Sequence, residues 1–343
     1  MPFLLIFTFA CQTNHQTEKL EDPLVTEEQG SLELPKPIPL PPADALLHCQ
    51  SSSSGFDVRV FEGQILWNDR QLDIGAHIQA AICADLDQDG VQEAYLGFGM
   101  GRTNPKADKQ VWKITETEAT EVWRSSSARN QITNLQAHKN QLYITAFTEG
   151  KTVAGGPIID GKWSPIYSVP LALKQVPFED GMLIGRVYGD EPRADGDLKK
   201  YASNTITEYP IQGGVRAISS ADFNQDGNND ILVSDGWNYQ YGKHAKARVR
   251  LYLGPDYTDI RTLVNLDDDY TVNEIIPFEY KQQVHLIAQA SHHVYWLEPT
   301  AFGIKVHEIG PISESGITNL SVSGENIVLS ISGNPSLRLE LSL

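Results

Sequence analysis

The sequence has no run of about 18 apolar residues, so an ordinary transmembrane helix is excluded. It has no basic excess: 27 Lys and Arg stand against 44 Asp and Glu, a net charge of −17. A nucleic-acid surface needs cations to neutralise phosphates, so nucleic acid is excluded as a partner. Cysteine is scarce, with three in 343 residues. No G-x-S-x-G elbow, H-E-x-x-H pair, P-loop or C-x-x-C motif is present. GFGMG at 97–101 follows a β-like run but opens no helix, which removes it as a dinucleotide fingerprint. His292 and His293 are adjacent and face opposite sides of a strand, so they do not make a metal pair. Amphipathic helical periodicity is missing too. From about residue 44, short runs of Val, Ile, Tyr, Leu and Thr alternate with polar residues, between clusters of Gly, Asn, Asp and Pro. The expected fold class is all-β, and a binding protein is expected rather than an enzyme.

What is present starts with two matching stretches, Asp85–Glu93 (DLDQDGVQE) and Asp222–Asp230 (DFNQDGNND). Each carries side-chain oxygens at positions 1, 3, 5 and 9 and Gly at position 6. Calcium is a hard cation that takes six to eight oxygens, and Gly permits the sharp turn that wraps them around it. Two Ca2+ sites are expected. One uses Asp85, Asp87, Asp89 and Glu93 with the carbonyl of Val91. The other uses Asp222, Asn224, Asp226 and Asp230 with the carbonyl of Asn228. Without an ion such clustered carboxylates repel one another, which points to a structural role. The other reading is an ion that gates ligand binding.

The two loops begin 137 residues apart, three units of about 46, the size of a four-stranded propeller blade. Hairpins in near register lie at 134–147, 175–189, 275–290 and 320–333. With the two loops they make six, each a strand, a turn and a more hydrophobic strand. Outer strands follow at 110–124, 204–210 and 293–309. A hairpin at 56–70 precedes the first loop, and one strand, LRLELSL, follows the last hairpin. Six blades are expected over residues 44–343, closed by N- and C-terminal strands sharing a blade. Seven is the alternative if residues 44–72 hold more strands.

The loop pattern D-x-D/N-x-D-G-x-x-D resembles the FG-GAP or VCBS repeat of integrin α-chain propellers and bacterial surface proteins. An EF-hand requires Glu at position 12, where this chain has Leu96 and Val233 inside β-like runs. Dockerin repeats require helices after the loop. The resemblance implies that each loop joins the two inner strands of a blade. The other hairpin tips (HKN, FEDG, EYKQQ, SGEN) lack the acids, so no calcium is expected there.

The N-terminus, MPFLLIFTFAC, resembles a bacterial lipoprotein signal over residues 1–11, with Cys11 as the lipidated residue. The other reading is a buried N-terminal strand. Residues 12–43 are acidic and Pro-rich and read as a disordered tether. The resemblance implies a cell-envelope location, at the outer membrane or cell surface, with membrane contact through the lipid only. Cys49 and Cys83 then remain as a possible disulfide, or as two free buried thiols. A monomer is expected.

Loops joining second to third strands lie on the face opposite the calcium-like loops. There the chain places Arg102 in 97–109, Arg193 in 189–200, and Trp237, Tyr239, Tyr241, Lys243, His244 and Lys246 in 234–247. Aromatics supply rigid contact area and cations meet carboxylates or sulfates, which suits a protein or glycan ligand. The same residues also fit packing on a neighbouring blade and plain surface charge. The expected function is a calcium-stabilised envelope module for binding or adhesion. The alternatives are a polysaccharide-acting lyase or hydrolase, for which His244, Asp235 and Arg193 would have to converge, and a purely structural envelope lipoprotein.

Overall fold

Two kinds of strand pattern organise the chain. In Phe56–Phe61, Phe56, Val58 and Val60 are buried while Asp57, Arg59 and Phe61 face outward, the alternation of a half-covered strand. Glu93–Gly99 and Asp230–Asp235 are buried along their whole length. A strand covered on both faces reads as a continuous apolar run, and AYLGFG and ILVS are such runs.

The structure is a computed structural model that describes residues 38–341 apart from 51–54, 102–103, 127–130, 149–151, 171, 187–195, 203–204, 212, 236–246, 267–271, 291–292, 301–302, 312–318, 324–326 and 334–335. The strands form seven antiparallel sheets. The first contains Ala45–Cys49, Phe56–Phe61, Gln64–Trp67 and Arg70–Asp73. The second contains His77–Ala84, Glu93–Gly99, Lys109–Ile114 and Ala119–Ser125. The third contains Ile132–His138, Gln141–Phe147, Thr152–Ile159 and Tyr167–Pro170, with short Lys162–Trp163 beside the third strand. The fourth contains Ala172–Phe178, Gly181–Arg186, Leu198–Ala202 and Thr205–Tyr209, and the fifth Ala217–Ala221, Asp230–Asp235, Ala247–Tyr252 and Ile260–Leu266. The sixth contains Val272–Tyr280, Gln283–Ala290, His293–Thr300 and Gly303–Pro311. In the seventh, Asn319–Ser323, Ile327–Ser332 and Ser336–Leu341 are joined by Ile38–Leu40.

The first strand of every sheet faces one central cavity of about 520 Å³; Leu47, Ile82, Leu135, Val176, Ser219, Ile275 and Ser321 each come from a different sheet. Sheets arranged radially about such an axis are the blades of a β-propeller. The hydrophobic core lies in slabs between adjacent blades. Val58, Ile65, Leu96 and Phe98 fill the first slab, and Leu232, Leu251, Leu286 and Leu297 fill the one between the fifth and sixth blades. Among the described residues no helix is long and apolar enough to cross a membrane.

The blade count is seven, not the six expected. Residues 45–73 are a complete blade, because Ala45–Cys49 adds a fully buried inner strand to the hairpin at 56–70. That strand is five residues long and is followed by a serine run, so it offers little alternation to read. The hairpin at 56–70 therefore does not share a blade with the C-terminal strands. The strand that does is Ile38–Leu40, in register with Ser336–Arg338, from inside the stretch read as tether. Pro39 is tolerated because this strand is the outermost of its sheet.

Blades also meet through close backbone approach. A Cβ built on Gly185 would lie 2.4 Å from Val215 Cγ1 and 2.8 Å from Ile218 Cδ1 of the next blade. Gly185→Ala is expected to cost about 1–3 kcal/mol of stability. Urea denaturation checks this, and an unchanged midpoint would show that the blades can part at no cost.

Candidate metal centre

Both nine-residue loops join the first and second strands of a blade, the second blade for Asp85–Glu93 and the fifth for Asp222–Asp230. Blades three, four and six turn the same corner in two residues, Lys139–Asn140, Glu179–Asp180 and Lys281–Gln282. Lys139, Asn140, Lys281 and Gln282 have positive φ, the geometry of a tight hairpin turn.

The two long loops have the same backbone. Gln88 and Gln225 at position 4 have φ of 61° and 60°, and Gly90 and Gly227 at position 6 have φ of 85° and 89°. The position-1 carboxylate accepts the N–H groups at positions 5 and 6. Asp89 N and Gly90 N reach Asp85 at 3.2 and 2.9 Å, and Asp226 N and Gly227 N reach Asp222 at 3.0 and 2.9 Å. The position-5 carboxylate accepts the N–H at position 7, from Val91 to Asp89 and from Asn228 to Asp226, both at 2.8 Å. The turn is thus formed by the chain's own hydrogen bonds, with oxygens at positions 1, 3 and 5 gathered on one side.

The loops differ at position 9. In the fifth blade Asp230 is fully buried, and its carboxylate accepts N–H groups from Phe223 (2.9 Å), Asn224 (3.4 Å) and Gly254 (2.8 Å). Burial pushes the Asp230 carboxyl above the ordinary range despite these donors, and the charge of Asp226 adds to the push. Among the described residues no Lys or Arg pairs with Asp222, Asp226 or Asp230. An oxygen-rich turn with uncompensated charge fits a divalent cation. In the second blade the oxygens of Asp85, Asp87 and Asp89 lie within 4.8 Å of one another. Glu93, however, is ion-paired with Lys113 and accepts the Tyr95 hydroxyl at 3.3 Å. Lys113 Nζ also lies 3.4 Å from Asp87. Desolvation opposes ionisation of Asp87, yet the Lys113 ammonium holds it below the usual carboxylate range. This loop already contains a cation, so the fit to calcium is poorer.

A third role in these loops went unread in the sequence. The Gln at position 4 is identical in both and reaches the hairpin tip of the next blade. Gln88 Nε2 donates to Asn140 Oδ1 at 3.1 Å, and Gln225 Nε2 donates to the carbonyl of Gln282. Lys139 Nζ donates to the carbonyl of Glu179 at 3.0 Å, and Tyr257 Oη lies 2.8 Å from Glu179 Oε1 and 3.2 Å from the carbonyl of Asn229. Hydrogen bonds therefore link blades two through six across this face. On its other flank the second-blade loop is held by Gln92 N donating to the carbonyl of Gln50 at 2.7 Å, beside a disulfide between Cys49 and Cys83.

Arg102, Arg193, Trp237, Tyr239, Tyr241, Lys243, His244 and Lys246, expected on the opposite face, lie outside the described residues, as does Cys11. The roots of two of these loops are described. Below 187–195, Arg186 Nε donates to Asp197 at 2.7 Å, with Lys199 Nζ 2.8 Å from the same carboxylate. Burial opposes it, but these cations hold Asp197 below the usual carboxylate range. Below 236–246 the signs are exchanged: fully buried Asp235 accepts Arg248 Nε at 3.0 Å and Arg250 Nη1 at 3.2 Å. Asp235 is thus committed to two guanidinium groups. The inner strands carry register shifts near this end in blades two, three, four and six. There Lys174 Nζ reaches Glu274 Oε2 at 3.6 Å, joining the fourth and sixth blades.

No protein-family model matches the chain, and no curated protein sequence does. Solved structures do, in 613 chains, a breadth that selects no single activity. One belongs to a structure described as the crystal structure of the mitotic checkpoint complex, with a TM-score of 0.58 and 10% identity over 99% of each chain. At that identity the likeness concerns architecture alone: the chain has the fold of a β-propeller, with seven blades.

Proposed function

We propose that this chain is a calcium-stabilised binding module of the bacterial cell envelope, of the FG-GAP/VCBS kind, which takes a protein or glycan through the face opposite its long hairpin loops. The observation that carries this reading is the division of labour between the faces. Acidic turns laced to neighbouring hairpins occupy one face. On the other, described strands end on carboxylate–guanidinium pairs directly beside the sequence segments rich in Trp, Tyr, Lys and His. Rigid roots under variable loops are the usual arrangement of a recognition surface. The Cys49–Cys83 bridge supports an oxidising compartment. A lipid on Cys11 would hold the domain at the membrane through residues 12–37.

Calcium at a hundredfold excess over Kd is expected to stabilise the protein by about 2.7 kcal/mol, a rise of roughly 4 °C in Tm. Asp226→Ala is expected to abolish that rise. Scanning calorimetry with calcium or a chelator checks this, and a Tm indifferent to calcium in the wild type sinks the calcium reading. Recognition is tested by screening glycans and envelope proteins, with Trp237→Ala as the comparison. A ligand bound equally by both proteins places the site elsewhere.

A further inference from the structure

The second-blade loop invites a closer reading than its sequence allows. Its acids are those of a cation site, but Lys113, on the third strand of the blade, extends to it. The strand register places Lys113 opposite Tyr95, two residues beyond Glu93. The same register in the fifth blade places Leu251 opposite Leu232, two residues beyond Asp230. The second-blade loop has one carboxylate more than the fifth, Asp87 where the other has Asn224, and it alone is met by a cation from the third strand. Lys113 engages Glu93 at position 9 and Asp87 at position 3, two of the side chains an ion would need. Leu251 is buried in the hydrophobic slab and offers no charge.

We infer that the Lys113 ammonium, by holding Asp87 and Glu93, keeps the second-blade loop from taking a divalent cation at concentrations that fill the fifth-blade loop. A divalent ion there would sit beside a fixed positive charge and would have to take Asp87 and Glu93 away from it. The side chain thus holds constitutively two of the carboxylates that an ion would need. Two loops of nearly the same sequence answer differently to calcium. The inference rests on the calcium reading of the fifth-blade loop and goes beyond it.

Calorimetric titration with calcium alone tests it. The wild type is expected to take one ion per chain, and Lys113→Met two, the second-blade loop tightening at least tenfold. Two ions of similar affinity in the wild type overturn the inference and leave the fifth-blade site intact. One ion in both proteins overturns it as well, because Lys113 is then not what excludes the ion. No ion in either sinks the calcium reading and the inference together. No ion in the wild type but one in Lys113→Met overturns it too, because the fifth-blade site it is measured against is then missing. Should Lys113→Met fold poorly, Asp226→Ala decides. With only the second-blade loop intact, its Tm is expected to ignore calcium, and a rise overturns the inference.

Discussion

Replacing both Cys49 and Cys83 with Ser is expected to destabilise the protein by about 3–4 kcal/mol, the loop-closure entropy of a cross-link spanning some three dozen residues. The bridge has a sequence separation of 34 and joins the inner strands of the first and second blades. Its position makes the loss felt widely. Gln50, next to Cys49, is paired with Gln92 of the second-blade loop, so the bridge also fixes one flank of that loop. Against the total stability of a typical domain, about 5–15 kcal/mol, this is a large share. Guanidinium denaturation with and without reductant measures it. Reduced wild type should unfold with the double variant, and a midpoint for the variant equal to that of oxidised wild type defeats the expectation.

Asp235→Ala is expected to cost about 3–5 kcal/mol, because buried Arg250 and part-buried Arg248 lose the carboxylate they share. Asp235 is the last residue of its strand and stands directly before 236–246. Its loss should therefore loosen the root of the loop that carries Trp237 and the tyrosines. Adding Arg250→Met should restore at least about 1 kcal/mol, since part of the cost is a charge left buried without that carboxylate. A single variant that melts within a degree of the wild type contradicts this account. So does a double variant less stable than the single.

The sequence carried the inner hairpins well, because each pairs an alternating strand with a continuous apolar one around a recognisable turn. Ile132–His138 with Gln141–Phe147 and Val272–Tyr280 with Gln283–Ala290 fall where the pattern placed them. Short strands were illegible for a physical reason. Ala45–Cys49 is buried on every residue and Ile38–Leu40 is flanked by prolines, so neither alternates. Each is a strand only because a neighbouring strand accepts it. The candidate metal loops were legible as local backbone, in the Gly at position 6 whose positive φ makes the turn, Gly90 and Gly227. What set the two apart was not. Lys113 lies 20 residues beyond Glu93 and meets it through strand pairing, as Arg248 meets Asp235. Such contacts are visible only once the register is fixed. The one local clue passed over was the Gln shared by both loops at position 4.

The pairing of Ile38 with Arg338 also has a consequence in time. The two residues are about 300 apart in the chain, so the contact is as non-local as this fold permits. At the pace of translation, about 5–20 residues per second, Ile38–Leu40 waits on the order of 15 to 60 seconds for its partner strand to be made. Six blades can fold in the order of their synthesis, each against the one before. The seventh cannot be completed until both ends of the chain have been made, so its last strand is supplied by some of the oldest residues in the protein.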